Sequence, residues 1–229
     1  MDLHGKNKAV TFSFDDGVTQ DRRLVRLFDD HGLKCTFNLD SALFGKTGTS
    51  RKGEMTTTHN KIEPDEVAEL YKNHEVAGHT LTHPHLTELS DDEVVREIEE
   101  DRAALSRLSG QDVIGFAYPY GAVDDRVAGL IRARTGVRYA RTVRATHAFD
   151  LPEDPILLDP TIHAVSYDET KALCRQFIEL EADRPQVLYI WGHSYEFDFD
   201  DGWTRFERIC RLISGRSDIA YVTNRELFE

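Results

Sequence analysis

Short apolar runs alternate with stretches of helical spacing along the whole chain. The apolar runs predict strands over 9–14, 35–39, 75–77, 113–116, 137–140, 187–191 and 219–222. Spacings of three and four residues predict helices over 20–31, 63–73, 123–134, 171–181 and 203–212, and one more between the capping box 90–93 and Gly110. The polar stretch 41–60 predicts a long loop.

The strand-then-helix order predicts parallel strands with helices outside them. We therefore expect an α/β fold, a deformed TIM-like (β/α) barrel with fewer than eight regular strands, as a single domain over residues 1–229. In such barrels the chemistry lies at the C-terminal ends of the strands. Four polar clusters directly follow predicted strands, so we expect them to converge on one pocket: FDDG, GHTLTH, AYPYG and WGHSYEF.

The first cluster contains two adjacent carboxylates, Asp15 and Asp16. Asp-Gly is a common turn dipeptide, so one interpretation is a surface turn. The other is that one carboxylate binds a cation while its neighbour accepts a proton. Adjacent residues of an extended chain point to opposite sides, which would allow two such roles.

The second cluster contains His79 and His83. Imidazoles four residues apart share a face if the segment is helical and can then bind one metal ion; coincidence on a helix surface is the alternative. Pro84 limits any helix here to about one turn. With Asp16 the pair is typical of a catalytic zinc site, which can also accept cobalt, nickel or iron. His85 is expected to be a loop or packing residue.

The third and fourth clusters provide candidates for the remaining roles. We expect Tyr118 to pack in the core and the backbone N–H of Tyr120 to stabilise a tetrahedral oxyanion. His193 lies just beyond an apolar strand and is the candidate general acid. Late aromatic residues could be core or could line a sugar-binding groove: Trp191, Tyr195, Phe197, Phe199 and Trp203.

Composition narrows the classes of partner. With 41 acidic and 28 basic residues the formal charge is −13, which argues against nucleic acid and against an anionic membrane surface. The cysteines Cys35, Cys174 and Cys210 are scattered, so no disulfide framework is expected. The N-terminus lacks the apolar segment of a signal peptide, which favours a cytoplasmic protein.

These motifs, in this order, resemble the polysaccharide deacetylase family (the NodB-homology domain, carbohydrate esterase family 4). The resemblance runs from about residue 9 to 197 through SFDDG, HTLTH, the PYG turn and a late strand with a histidine. It implies a deformed (β/α) barrel and metal-assisted removal of acetyl groups from N-acetylated sugars. It also implies that Asp15 is the catalytic base, that Asp16, His79 and His83 hold the metal, and that His193 protonates the leaving amine.

The chain departs from the family's pattern in two places. Well-known members have an arginine that tethers the catalytic aspartate, and Ala117 occupies that position here. Arg141 or Arg144 is a candidate substitute. The family's Asp-Trp motif is not recognisable between Asp150 and Asp168.

Three other functions are compatible with parts of the pattern. A hydrolase of the same fold could act on a small linear or cyclic amide. A catalytically degenerate module could bind saccharides without hydrolysing them. Against this alternative, the chain retains all five polar residues proposed for catalysis and metal binding: Asp15, Asp16, His79, His83 and His193. Iron(II) oxygenases also use two histidines and one carboxylate, but their usual short HxD spacing is missing.

Overall fold

The computed structural model describes residues 3, 5–151 and 153–228. The strands in chain order are β1 (Lys8–Asp15), β2 (Cys35–Leu39), β3 (Thr49–Lys52), β4 (Met55–Thr58), β5 (Glu75–Gly78), β6 (Gly115–Ala117), β7 (Tyr139–Arg141), β8 (Ile162–His163), β9 (Gln186–Gly192) and β10 (Ile219–Tyr221). The helices are α1 (Asp21–His31), α2 (Val67–Leu70), α3 (Asp91–Ser109), α4 (Asp125–Arg134), α5 (Tyr167–Glu179) and α6 (Gly202–Ile213). Short 3-10 turns lie between several of them.

The main sheet is parallel throughout and is curled into a half-barrel. Seven strands follow one another in the order β7-β6-β5-β2-β1-β9-β8, and β10 pairs with the first residues of β1. Between β7 and β8 an irregular segment continues the wall. Its Leu158 N–H donates to the Ala140 carbonyl (2.9 Å), and its Thr161 N–H donates to the Tyr189 carbonyl (2.8 Å). The predicted α/β, TIM-like architecture is therefore confirmed.

Alternation along β1 explains how the sheet separates core from site. Phe12 and Phe14 point outward and pack with Phe28 of α1 and Phe206 of α6, with ring centroids 4.8 to 6.2 Å apart. The intervening side chains point into the barrel, and Asp15 is the last of them. The strand thus places a carboxylate at the C-terminal end of the barrel interior, while its other face forms the hydrophobic core.

Two predictions about local structure were wrong, and one strand was missed. The stretch predicted as a loop over 41–60 contains the antiparallel hairpin β3–β4, which lacks an apolar face because it is largely exposed. The helix predicted over 63–73 is a 3-10 turn, Pro64–Glu66, followed by the single turn α2. The two-residue strand β8 was not predicted.

Other local predictions were confirmed. The capping box at Ser90 is formed, since the Ser90 backbone N–H donates to the Glu93 carboxylate at 2.9 Å. Gly110 ends α3 in the left-handed conformation, with φ of 72°. All three cysteines are buried free thiols.

Candidate metal centre and active site

The four polar clusters meet at the C-terminal end of the half-barrel. Asp15 ends β1, His79 follows β5, Tyr118 follows β6 and His193 follows β9. They line one cavity of about 450 Å³, together with the other residues of the site: Asp16, His83, Tyr120, Val143, Trp191 and Tyr195. The predicted convergence is therefore observed.

Asp16, His79 and His83 form a group suited to a metal ion. One ligand atom from each lies within 4.8 Å of the other two. Burial lowers the pKa of His79 to about 4 and also lowers that of His83. Burial alone would raise the pKa of Asp16, but the hydrogen bond from His59 and the charge of Lys61 outweigh it and hold that pKa well below 3.8. Two neutral imidazoles and an ionised carboxylate are the protonation states that metal binding requires.

A hydrogen bond to the backbone orients the ring of His79. Its Nδ1 lies 2.7 Å from the carbonyl oxygen of Ala117, which can only accept, so Nδ1 carries the hydrogen. The lone pair is then on Nε2, which lies 3.9 Å from Oδ2 of Asp15 at the site. Such an outer partner fixes both the tautomer and the orientation of a metal-binding histidine.

The expected helical face for the two histidines was wrong. The segment after β5 is irregular, and Thr80 and His83 both have positive φ, 72° and 61°. The hydroxyl of Thr80 accepts a hydrogen bond from the His83 N–H at 3.0 Å, which closes the turn. The two rings meet edge to face with centroids 4.8 Å apart. A left-handed turn, and not a helix, brings the imidazoles together.

The two carboxylates also differ from the expectation that they point to opposite sides. Asp16 has φ of 84°, so the chain leaves the extended conformation there and both side chains line the same cavity. Lys61 supports this conformation from beneath. Its buried ammonium donates to the Asp16 carbonyl oxygen at 2.6 Å and to Oδ1 at 3.2 Å. His59 Nε2 lies 3.1 Å from the other carboxylate oxygen.

Asp15 is tethered by Arg141, one of the two predicted substitutes for the arginine missing at Ala117. One guanidinium nitrogen of the fully buried Arg141 lies 2.5 Å from each oxygen of Asp15. Burial alone would raise the pKa of Asp15, but the charge and hydrogen bond of Arg141, together with the charges of His79 and His193, outweigh it and the net shift is downward. Arg144 instead pairs with Asp159 at the surface. Asn38 donates a further hydrogen bond to Asp15 Oδ1 at 2.8 Å.

His193 faces Asp15 from the opposite wall. Its Nε2 is 3.9 Å from Oδ2 of Asp15, and its Nδ1 is 3.1 Å from Oε2 of Glu196. Burial works to lower the pKa of His193, but the Glu196 hydrogen bond and the charges of Asp16 and Asp15 raise it to about 9. The imidazole is therefore charged near neutral pH, as a proton donor must be.

The aromatic residues divide into a rim and a core. Tyr118 is buried and donates to the Ile156 carbonyl at 2.9 Å, as predicted for packing. The ring of Tyr120 is 59% exposed at the mouth and stacks on His85 with centroids 4.0 Å apart. Of the late aromatics, Trp191 and Tyr195 line the cavity, whereas the rest are core residues: Phe197, Phe199 and Trp203.

The backbone at Tyr120 suits the predicted oxyanion donor. Its φ of 56° is left-handed, and the next N–H, of Gly121, is bonded to the Tyr118 carbonyl at 2.9 Å. Within residues 5–151 and 153–228, no backbone acceptor is recorded for the Tyr120 N–H. An N–H without a backbone partner is what an oxyanion donor requires.

Sequence reasoning missed several residues that support the site. Asn38, His59, Lys61, His163 and Glu196 all lie against the predicted residues or their partners. Only Glu196 carried a local signal, because it stands three residues after His193, within reach in one turn. The others approach from distant segments.

Among the described residues, every helix is too short or too polar to span a membrane.

Comparison with known proteins identifies the family to which this sequence is related. The family model described as polysaccharide deacetylase matches residues 3–140. Chitin deacetylase 1 of Saccharomyces cerevisiae is 30% identical over 117 residues, which are 51% of this chain and 38% of the relative. The peptidoglycan-N-acetylglucosamine deacetylase PgdA of Listeria monocytogenes is 28% identical over 125 residues, 53% of this chain and 23% of the relative.

Solved structures share the fold at low identity. A family 4 carbohydrate esterase from Streptomyces lividans, in complex with acetate, has a TM-score of 0.59 at 18% identity over 94% of this chain and 92% of that one. A family pseudoenzyme from Bacillus anthracis has a TM-score of 0.57 at 15% identity over 97% of this chain and 66% of that one. The shared fold therefore does not decide activity. Since the family model matches more than half of the sequence, this chain belongs to the polysaccharide deacetylase family.

Proposed function

We propose that this protein is a metal-dependent deacetylase that hydrolyses the acetamido group of N-acetylated saccharides. One observation carries the proposal: a metal-ligand group, an ionised carboxylate and a charged imidazole line the same cavity. The chain covers only 23% to 38% of the lengths of the PgdA and chitin deacetylase relatives, so their substrates indicate a class and not a single compound.

Asp16, His79 and His83 would hold the metal. Zinc is the simplest choice for two imidazoles and one carboxylate, and cobalt, nickel or iron also suit this set. When bound, the ion supplies Lewis-acid chemistry, which lowers the pKa of water and polarises a carbonyl oxygen.

The protein's own groups would perform the proton transfers. Asp15 accepts the proton of the attacking water, and Arg141 holds that carboxylate ionised and in a fixed orientation. The N–H of Tyr120 stabilises the negative oxygen that forms as the water adds to the amide carbonyl. His193, charged and on the opposite wall, donates its Nε2 proton to the departing nitrogen. The amine and acetate are the products.

Paired variants test the division of roles. Asp15→Asn should retain metal and lose most turnover, because it removes the proton acceptor and leaves Asp16, His79 and His83 in place. His79→Ala should lose both metal and turnover. Metal content is measured by elemental analysis of the purified proteins, and turnover by acetate release from N-acetylglucosamine oligomers. Equal loss of metal in the two variants would contradict the assignment.

His193→Ala should bind metal normally and turn over slowly, because the leaving nitrogen would have to be protonated by water.

Ammonia release from small amides, measured in parallel, separates the proposed activity from that of an amidase of the same fold. Metal binding without release of either product would instead support a saccharide-binding module.

A further inference from the structure

A second polar cluster adjoins the proposed catalytic residues and centres on one carboxylate oxygen. Oε2 of Glu196 lies 3.1 Å from Nδ1 of His193 and 3.3 Å from Nε2 of His163. Both imidazoles and the carboxylate are largely buried at the C-terminal ends of β8 and β9. Nothing in the acid–base roles described above uses Glu196 or His163.

The backbone fixes the position of this carboxylate. Glu196 is the third residue of the 3-10 turn that begins after His193, and the His193 backbone N–H also donates to Oε2 at 3.1 Å. The turn is anchored from below, since Ser194 donates its hydroxyl to the buried Asp21 at 2.5 Å. The carboxylate is therefore held against the ring of His193 by the same turn that positions the ring.

This arrangement decides which nitrogen of His193 faces the substrate. Burial works to raise the pKa of Glu196, but the hydrogen bond and charge of His193 keep it below 4.5, so the carboxylate accepts and cannot donate. Nδ1 of His193 must then carry a hydrogen, and Nε2 is left towards Asp15 and the cavity.

His163 approaches the same oxygen from β8, with its Nε2 3.3 Å from Oε2 of Glu196. Burial lowers the pKa of His163, so its ring is neutral near pH 7. The ring packs edge to face on Trp191, with centroids 4.4 Å apart, which limits its rotation. Trp191 in turn lies under the guanidinium of Arg141 at 4.5 Å. Trp191 therefore packs against both His163, which lies beside Glu196, and Arg141, which holds Asp15.

We propose that Glu196, held by its own turn and by His163, is the positioning residue that orients His193 and keeps its Nε2 proton directed at the leaving nitrogen. The proposal rests on the proposed function, in which His193 is the acid. The supporting carboxylate, Glu196, stands three residues after His193 in the sequence. The segment 150–168 contains no Asp-Trp motif.

Glu196→Gln keeps the volume of the side chain and removes its charge. Because metal ligation does not involve Glu196, metal content should be unchanged. We expect kcat to fall by about 10- to 100-fold, the range typical of outer partners of metal-binding histidines, with KM little changed. Glu196→Asp retains a carboxylate and should recover part of the rate. Glu93→Gln removes an equivalent capping carboxylate at the exposed start of α3, outside the residues that line the cavity, and should retain full activity.

The pH dependence provides a readout that a purely structural role would not change. Charged or titratable groups face His193 from four elements: Glu196 and Tyr195 in its own turn, His163 on β8, Asp15 and Asp16 at the end of β1, and His79 and His83 after β5. Among residues 3, 5–151 and 153–228, Glu196 is the one hydrogen-bond partner recorded for Nδ1. Because Glu196 raises the pKa of His193, that pKa should fall in Glu196→Gln. The charged form of His193 is lost as the pH rises through its pKa, so the alkaline limb of kcat should move to lower pH in this variant.

Histidine ¹⁵N NMR of the metal-free and zinc-loaded proteins tests the contact without any substrate. The resonances of His193 should titrate at a lower pH in Glu196→Gln than in the wild type and in Glu93→Gln. An unchanged titration and alkaline limb would overturn the proposal. So would two zinc ions per wild-type chain falling to one in Glu196→Gln, because Glu196, His163 and His193 would then be metal ligands. If no substrate is hydrolysed, the proposed function fails while the NMR comparison still decides the contact.

Discussion

Asp15 has to be charged and correctly oriented in a nearly dry environment. It is 2% exposed and its partner Arg141 is fully buried, so each would be a costly isolated charge without the other. The guanidinium is also bonded to Ser13 at 3.2 Å and to the Thr142 carbonyl at 2.9 Å, which fixes its plane. A planar group with several donors can satisfy all these acceptors at once, whereas an ammonium cannot.

Arg141→Lys should therefore keep the positive charge and lose the orientation of Asp15. We expect turnover to fall by about 10- to 100-fold while metal content is unchanged. Arg144→Lys is the matched control, because Arg144 pairs with Asp159 at the surface, and it should behave as the wild type. Rates of acetate release and zinc content are compared for the three proteins. Full activity in Arg141→Lys would show that the tether is not needed.

At the scale of single elements, the sequence predicts the strands that are buried and misses the strands that are exposed. The strands with apolar runs were recovered because one or both faces are in the core, as for Ala9 to Phe14 in β1. The hairpin β3–β4 reads TSRK and MTTT and is exposed, so no periodicity marks it. The geometry of HTLTH depends on positive φ at Thr80 and His83, for which a non-glycine sequence offers no signal.

The same limit applies to the partner of Asp15. Proximity to the end of β7 reduced the candidates to Arg141 and Arg144. Only the pairing of β6 with β7, which aligns Ala117 with Arg141, shows which guanidinium enters the barrel. Partners that arrive from elsewhere in the chain, such as Lys61 beneath Asp16, depend on tertiary packing and left no local pattern.

The β3–β4 hairpin borders a surface groove of about 320 Å³ beside the site, which its residues 50–52 line together with Tyr195 and Glu196. Thr49 and Thr58 face each other across the hairpin, so an Asn-Gly turn can join them directly and leave His59 in place. In this shortened variant we expect KM for N-acetylglucosamine oligomers to rise several-fold, because the groove loses one wall. The melting temperature should change little, since both strands are exposed. An unchanged KM would show that the hairpin does not contact the substrate.

At the scale of the whole molecule, the half-barrel gathers residues that are distant in the chain. Asp16 follows β1 while His79 and His83 follow β5, and β2 lies between these strands in the sheet. A ligand that binds all three would tie the two strands together in the folded state only. Such a ligand stabilises the protein in proportion to the logarithm of its concentration over its Kd.

Zinc at about one hundred times its Kd should add about 2.7 kcal/mol to the free energy of unfolding. For a chain of this size that corresponds to a rise in Tm of roughly 5–10 °C. The rise should disappear in His83→Ala and persist in the control His147→Ala, whose imidazole pairs with Glu169 at the surface. Differential scanning calorimetry with and without zinc measures both. An equal rise in all three proteins would place the binding elsewhere.

The most direct test of metal-dependent deacetylation is the amount of acetate released from N-acetylglucosamine oligomers before chelation, after chelation and after zinc is restored. We expect release by the purified protein, loss of release when the metal is removed, and recovery when one equivalent of zinc is added. Release that continues undiminished in the metal-stripped protein, or no release from the zinc-loaded protein with any N-acetylated saccharide, would contradict it.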